Sequence, residues 1–237
     1  MGMVELVKSV IHSMLAYSFH IYAWPASLIK ALDGCIRNFI WSGDTKTRKI
    51  VTTAWKSLCT PIKDGGLGHR SIKLLNQAAI LRLSWVMISS DQEWAVFCWQ
   101  RFSNGRTPST RYFKSAIWHV IKANWNMVMH NSLWLMGDGT KVNFWKDNWI
   151  GDALVDLLNI PLSLQSALVA KVSDFVLNTL WTIPRVIAEA YPNVVEDIIQ
   201  IHTSSRHDKL VWQGTSDGSL SLKAAFDYIK HVEAERG

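Results

Sequence analysis

The amino-acid sequence predicts an α+β protein, with a mainly helical basic N-terminal part and a mixed part with two short β-hairpins. Apolar residues recur at helical spacing through the first half of the chain. Further on, Asp-Gly pairs separate short strand-like runs, which is typical of hairpin turns. The chain has 237 residues, 49 % hydrophobic and 19 % charged, so it can bury a core without metals or disulfides.

Helices of the first half are marked by apolar stripes and by residues that start or stop helices. Residues 10–24 predict an amphipathic helix rather than a signal peptide, because polar residues interrupt the run and no cleavage site follows. A second helix follows Pro25, with Ser27 as a candidate cap, and ends near Gly43. The clearest helix carries a continuous seam for a partner helix, made of Leu74, Ala78, Leu81, Trp85 and Ile88.

The second half predicts two local hairpins. The first would pair residues 132–136 with residues 142–145 around the turn at Asp138. The second would span residues 209–223 around Asp217 and the glycine after it. A final amphipathic turn or two follows, with its apolar positions at Ala225, Phe226, Ile229 and Val232.

Composition excludes several classes of protein. The low charged fraction excludes intrinsic disorder as the main state, and no apolar run reaches the ~18 residues of a membrane span. Cys35, Cys59 and Cys98 are too scattered for a disulfide framework or a zinc site. We therefore expect no metal, no cofactor and no membrane partner. The chain is expected to be intracellular, nuclear or cytoplasmic.

Charge is distributed unevenly along the chain. Residues 1–127 hold 16 Lys and Arg against 6 Asp and Glu, a net charge of +10. Residues 128–237 hold 9 against 13, a net charge of −4. This asymmetry predicts two regions with different partners, of which the basic region faces an anionic one.

Basic residues are densest between residues 44 and 82. An excess of Lys and Arg can neutralise the phosphates of a nucleic acid, although a solvated surface has the same composition. The candidate residues for binding nucleic acid are Lys46, Arg48, Lys49, Lys56, Lys63, Arg70 and Lys73. Any such binding is expected to be electrostatic and tolerant of base sequence.

Patterns of known catalytic sites are missing from the sequence. Residues 65–68, Gly-Gly-Leu-Gly, lack the Lys-Ser/Thr pair of a phosphate-binding P-loop and predict a tight turn instead. There is no G-x-S-x-G nucleophile elbow, no H-E-x-x-H pair and no Asp-Asp pair. We therefore name no catalytic residue and expect that the chain is not itself an enzyme.

Several segments, taken in order, resemble the region after the polymerase domain in plant non-LTR (LINE-type) retrotransposon reverse transcriptases. In the first half these are WPASLI (24–29), IRNFIWSG (36–43), AWKSLCTP (54–61), GGLG (65–68) and LNQAA (75–79). In the second half they are WLMGDG (134–139), FWKDNW (144–149), DKLVW (208–212), SDG (216–218) and SLKAAF (221–226). The segments after residue 207 look like the opening of the reverse transcriptase zinc-binding domain.

This resemblance implies a non-catalytic fragment. The family's paired metal-binding aspartates and its zinc ligands have no counterpart here. Residues 1–127 would be a basic helical thumb or linker, and residues 128–237 a mixed α/β region ending in a truncated zinc-binding domain. The fragment would bind RNA or DNA backbone without sequence specificity. The residues leave an alternative open, namely a ligand-free helical scaffold that binds at most other proteins through exposed apolar seams.

Two tryptophans in the second half have two interpretations. Trp145 and Trp149 follow an Asp-Gly turn, and their size suits them to anchoring that turn in a core. Aromatic rings can also stack on unpaired bases. We predict the structural role for both.

Overall fold

The structure is a computed structural model that describes residues 2–50, 54–55, 59–60, 62–104, 107–115 and 117–235. The first elements are α1 (Gly2–Leu6), a π-helical turn (Val7–Ile11), α2 (His12–Phe19), α3 (Ala26–Ser42), a 3-10 turn (Ile62–Asp64), α4 (Ile72–Ser89), α5 (Glu93–Phe102), β1 (Ser103–Asn104), β2 (Thr107–Pro108) and α6 (Trp118–His130). Then come β3 (Ser132–Leu135), α7 (Leu154–Leu157), α8 (Leu162–Gln165), a 3-10 turn (Val172–Phe175), β4 (Val176–Leu177), β5 (Leu180–Trp181), α9 (Arg185–Ala190), α10 (Pro192–Ile199), β6 (Lys209–Trp212) and α11 (Leu222–Glu235).

These elements form two compact units. Unit 1 comprises residues 1–125 and 220–237, and unit 2 comprises residues 126–219. Unit 1 holds 19 Lys and Arg against 9 Asp and Glu, a net charge of +10, whereas unit 2 holds 6 against 10, a net charge of −4. The charge asymmetry therefore coincides with the structural division. Among the described residues, no helix is both long enough and apolar enough to cross a membrane.

Helix α4 is the centre of unit 1 and is buried on nearly all sides. Ile72, Leu75 and Ala79 pack in a core with residues of α3 and of the N-terminal helices. The predicted seam is covered: its three middle residues are buried, and its two end residues are half-buried. The hydroxyl of Ser71 caps the helix by accepting the N–H of Leu74 at 3.5 Å.

A buried amide ties α4 to the segment that follows α2. The side-chain oxygen of Asn76 accepts the N–H of Trp24 at 2.9 Å, and its NH₂ group donates to the carbonyl of Tyr22 at 2.7 Å. Asn76 is 4 % exposed, so these bonds form away from water, where an unpaired amide would be costly. The Asn in the LNQAA segment thus has a structural role.

Helix α11 returns from the far end of the chain and packs against α4. Ala225 and Ile229 are buried on the side of α11 that is apolar. Burial of this face explains why residues 220–237 belong to unit 1, although sequence analysis grouped them with residues 128–219. The assignment of the two regions as separate domains stays a prediction.

The α+β, mainly helical class is confirmed. However, the two predicted Asp-Gly hairpins do not form as expected. Strand β3 pairs antiparallel with the distant β6, with Ser132 opposite Trp212 and Leu135 opposite Lys209. In residues 142–145, only Asn143 makes a bridge, and its partner is Lys171. After β6, the N–H of Trp212 bonds to the carbonyl of Gly218, and the chain then enters α11.

The carboxylate of Asp208 explains why the hairpin predicted around Asp138 does not form. Its Oδ1 atom accepts the N–H groups of Gly137 at 2.8 Å and Gly139 at 2.9 Å, and its Oδ2 atom accepts that of Lys141 at 2.8 Å. The loop therefore curls around a buried carboxylate instead of forming a two-residue hairpin turn. A Cβ atom at Gly137 would lie 2.2 Å from the carbonyl oxygen of Arg206, so only glycine fits there.

Residues 143–149 form a second locked turn in unit 2. The N–H of Asn143 donates to the carboxylate of Asp147 at 2.8 Å, and the Asn143 side-chain oxygen accepts the N–H of Trp145 at 3.0 Å. The indole N–H of Trp149 donates to the carbonyl of Phe144 at 2.9 Å, and its ring stacks on Trp181 at 5.5 Å. Trp149 is buried in the core and Trp145 packs against it, so the structural role predicted for both is confirmed.

A hairpin that the sequence analysis missed joins β4 and β5. Val176 pairs with Trp181, and Leu177 pairs with Leu180. The two turn residues between the strands, Asn178 and Thr179, both have positive φ, as a type I′ turn requires. The turn lacks a glycine, so the usual sequence signal for this hairpin is absent.

Replacing Asp208 with Ala should lower the free energy of unfolding by about 3 kcal/mol or more, because three N–H groups, two of them in buried hydrogen bonds, lose a charged acceptor. Urea denaturation of the purified chain measures this loss. Asp152→Ala is the matched control, since Asp152 is exposed, and it should change stability by less than about 0.5 kcal/mol. Equal stability of the two variants would contradict the structural role of the Asp208 carboxylate.

Candidate functional site

A groove with a volume of about 400 Å³ lies on unit 1 and is lined mainly by basic and apolar side chains. Its walls come from the π-helical turn, from residues 59, 62–63 and 68–71, from the first turn of α4 and from one face of α11. Its cationic side chains are Lys8, Lys63, Arg70, Lys223 and Lys230. Asp227 is the one carboxylate among the described residues that line it.

Helix α11 contributes one complete face to the groove. The residues three, four and seven positions after Lys223 are Phe226, Asp227 and Lys230. At this spacing all four lie on the same side of the helix. The opposite side carries the residues that are buried against the core. The amphipathic helix α11 therefore packs its apolar face against α4 and presents its basic face to the groove.

The glycine turn positions the opposite wall. The N–H of Gly68 donates to the carbonyl of Thr60 at 2.9 Å, and a Cβ atom on Gly66 would lie 2.1 Å from that same oxygen. Gly68 has a φ of +63°, and the ammonium nitrogen of Lys8 lies 3.5 Å from where its Cβ atom would be. The prediction of a tight turn at residues 65–68 is confirmed, and its missing side chains leave space for Lys8.

Arg70 joins the two walls. Its guanidinium lies over the ring of Phe226, 5.7 Å from the ring centroid, in a cation–π contact between the loop and α11. Behind the loop, the buried ring of His69 packs against Trp55 at 5.2 Å. The groove thus has an aromatic floor under a cation that is itself exposed.

The groove is electropositive even after its ion pair is counted. Lys8 is bonded to Glu5 at 3.0 Å, which offsets one of the five positive charges. Asp227 offsets another, so a net excess of cations remains along a concave surface. Concave surfaces focus electrostatic potential, which favours an anionic ligand there.

The structure brings only some of the predicted binding residues together. Lys63 and Arg70 line the groove. Lys73 does not line it, and its ammonium pairs with Glu233 at 2.5 Å. Lys46, Arg48 and Lys49 lie on an exposed loop after α3. Lys56 is outside the described residues.

The loop that carries Lys46, Arg48 and Lys49 is organised by one carboxylate. The carboxylate of Asp44 accepts hydrogen bonds from the Thr47 hydroxyl at 2.6 Å and from the Lys46 N–H at 3.3 Å. These two bonds hold the pKa of Asp44 below its usual value. An ionised Asp44 therefore shapes the turn at neutral pH. The basic side chains around it remain exposed to solvent.

Three groove residues escaped the sequence analysis, namely Lys8, Lys223 and Lys230. The seven-residue spacing of Lys223 and Lys230 on either side of Phe226 was an available signal for a basic helix face. Nothing local indicated that this face would lie opposite the glycine turn, because about 150 residues separate the two segments.

Cys59 lines the groove, and the raised pKa of its thiol makes it less reactive. Burial, and secondly the carboxylate of Asp33, raises the pKa of Cys59 to about 11. Both effects disfavour the thiolate. Within the described ranges, no group of three or more His, Cys, Asp and Glu side chains is arranged to hold a metal ion.

Comparison with known proteins gives two plant relatives. The chain is 25 % identical over 253 residues to an Arabidopsis thaliana protein named "Putative ribonuclease H protein", an alignment that covers 99 % of this chain and 40 % of the relative. It is 27 % identical over 150 residues to an Arabidopsis thaliana "Uncharacterized mitochondrial protein", which covers 57 % of this chain and 92 % of the relative. No family model and no solved structure matches the chain.

The chain thus spans about two-fifths of the length of the first relative. Similarity over nearly the whole chain relates it to a plant protein named for ribonuclease H, in keeping with the plant origin of the family that its motifs resemble. The finer assignments, to a LINE-type reverse transcriptase and to its zinc-binding domain, stay predictions. So does the expectation that the chain is not an enzyme.

Cys59 should react with iodoacetamide at least about tenfold more slowly than the exposed Cys35 at pH 8, because only the thiolate is nucleophilic and Cys59 has a pKa of about 11. Peptide mass spectrometry after timed alkylation measures both rates. The reaction of Cys59 should accelerate as the pH rises toward 10. In urea the two cysteines should react at similar rates, and a fast reaction of Cys59 in the folded chain would contradict its burial.

Proposed function

We propose that this chain is a non-catalytic region of a retrotransposon-type reverse transcriptase protein, and that unit 1 binds RNA or DNA through backbone phosphates without reading base sequence. The observation that carries the proposal is the convergence of five cationic side chains on one groove of unit 1. They come from segments that are far apart in the sequence, so the cluster is a product of the fold.

The sequence motifs and the first relative supply the nucleic-acid context. The ordered segments from WPASLI to SLKAAF resemble a region that follows a polymerase domain. The relative that aligns with almost the entire chain is named for ribonuclease H. A thumb or linker role would use unit 1 to hold template or primer, and unit 1 is the basic unit.

Backbone binding fits the kinds of side chains that are present. Lys and Arg contact phosphate oxygens, which fixes the position of a nucleic acid without distinguishing bases. The exposed loop with Lys46, Arg48 and Lys49 offers further phosphate contacts on the same unit. The proposal therefore includes two basic surfaces, the groove and this loop.

The alternative of a ligand-free scaffold loses one of its arguments. That hypothesis depended on apolar seams left without a partner, but the α4 seam is covered within unit 1. Exposed apolar residues occur on both units, for example Phe97 on unit 1 and Leu162 on unit 2. Nucleic-acid binding by unit 1 is the better supported function, because a ligand-free scaffold does not require the cationic side chains that share the groove.

The affinity of the chain for labelled DNA should fall with salt. If about four phosphates are neutralised, the logarithm of the binding constant on duplex DNA should fall against the logarithm of salt concentration with a slope of roughly −3 to −4. Fluorescence anisotropy between about 50 and 200 mM salt measures this slope. Oligonucleotides of equal length and different sequence should give equal affinities within about threefold.

Replacing Lys46, Arg48 and Lys49 together with Glu should weaken binding to all sequences alike and flatten the slope. The matched control reverses three exposed charges of unit 2, in Lys171, Arg185 and Arg206, and should leave the slope unchanged apart from a small effect of net charge. If the parent chain shows no salt-dependent binding at ~50 mM salt, the proposed function is wrong and the scaffold hypothesis stands.

A further inference from the structure

A second cavity adjoins the groove on unit 1. Its volume is about 250 Å³, and Lys8 and Arg70 line both cavities. From this shared wall, one cavity extends toward Lys63 and Lys230, and the other toward Ser13 and His20. The two cavities together form a track, with basic side chains at its centre and at one end.

The track is apolar as well as basic. In the first cavity, Ile62, Leu74 and Phe226 contribute carbon surface, and Ile62 is 67 % exposed. In the second cavity, Phe19, Leu75 and Leu222 do the same. A ligand that suits this lining needs apolar faces beside its charges, because phosphate contacts alone would leave the apolar surface exposed to water.

A nucleic-acid duplex does not meet this requirement. Its base faces are stacked inside, and it presents mainly phosphates and sugars to a protein. A double helix can therefore place its phosphates against the basic side chains at the rim of the track, but it cannot offer base faces to the apolar lining.

An unpaired strand meets both requirements. Proteins that bind single strands combine a basic groove along the backbone with aromatic and apolar surfaces for the bases. Here Phe226 and the guanidinium of Arg70, 5.7 Å from the ring centroid, form a planar cationic and aromatic pair in the track. A guanidinium plane can stack on a base and donate hydrogen bonds to a phosphate.

We infer that the groove of unit 1 binds a single strand of RNA or DNA in preference to a duplex. The phosphates of the strand contact Lys8, Lys63, Arg70, Lys223 and Lys230, and its bases and sugars cover the apolar floor. This inference rests on the proposed function and adds the class of nucleic acid and the site that selects it.

The experiment compares a single-stranded 12-mer of thymidylate with a duplex that contains the same strand, both labelled and both at ~100 mM salt. The unmodified chain should bind the single strand about tenfold or more tightly than the duplex. A groove variant, in which Lys63, Lys223 and Lys230 are replaced with Glu, should lose about tenfold in affinity for the single strand. All three residues are exposed, so the variant should fold like the parent chain.

A second variant separates the apolar floor from the charges. Ile62→Ser leaves every charge in place and removes exposed carbon surface from the groove. It should weaken single-strand binding by about threefold to tenfold at an unchanged salt slope, with the affinity for duplex preserved. A purely electrostatic surface would not respond to this change.

A control variant reverses charges of unit 1 that do not line the track. Lys30→Glu combined with Lys114→Glu should not alter the preference for the single strand, since both side chains are exposed elsewhere. Equal affinity for single strand and duplex, or equal losses on both in the groove variant, would overturn the inference while the proposed function stands. Absence of salt-dependent binding to either ligand would instead refute the proposed function itself.

Discussion

The fold of unit 1 depends on covering helix α4, which is apolar on nearly every side. Ten of its eighteen residues are buried, so a single neighbouring helix cannot protect it from water. The N-terminal helices and α3 cover one part, and α11 returns from the end of the chain to cover another. The groove is a consequence of this arrangement, because the basic face of α11 is brought opposite the glycine turn only when its apolar face packs on α4.

Unit 2 depends on a different kind of constraint, namely buried carboxylates that accept backbone N–H groups. Asp208 collects three such groups from residues 137–141, and Asp147 holds the N–H of Asn143. Short strands and irregular loops provide few backbone partners of their own, so side-chain acceptors stabilise them instead. Several segments that carry the family resemblance, such as WLMGDG and FWKDNW, therefore have structural explanations that require no ligand.

Sequence patterns predicted the local structure of unit 1 well and its long-range contacts poorly. The helix after Pro25 with its end near Gly43, the helix α4 and the turn at residues 65–68 were all predicted from local signals, although the cap of the first of these is Pro25 and not Ser27. The pairing of β3 with β6 was not, because about 75 residues separate the strands and the Asp-Gly turn suggested a nearer partner. A single buried carboxylate, Asp208, changed the outcome, and periodicity does not identify such a residue.

In the candidate site, too, local sequence signals were informative and long-range contacts could not be predicted. The stretch between residues 44 and 82 is basic, yet of the predicted residues that the structure describes only Lys63 and Arg70 line the groove. Its other cations come from the two ends of the chain, and Lys73 on α4 is paired with Glu233 on α11. Charge density along a sequence indicates that a surface is basic, whereas the packing of α11 on α4 decides which charges share one surface.

Protection of lysines from acetylation shows which basic surface of unit 1 contacts the nucleic acid. The chain is treated briefly with an acetylating reagent, with and without a saturating single-stranded oligonucleotide, and each lysine is quantified by mass spectrometry. If the strand lies in the groove, Lys63, Lys223 and Lys230 should be protected together, while Lys30 and Lys114 should react equally in both samples. Uniform protection of all lysines, or protection confined to Lys46 and Lys49, would contradict a binding site in the groove.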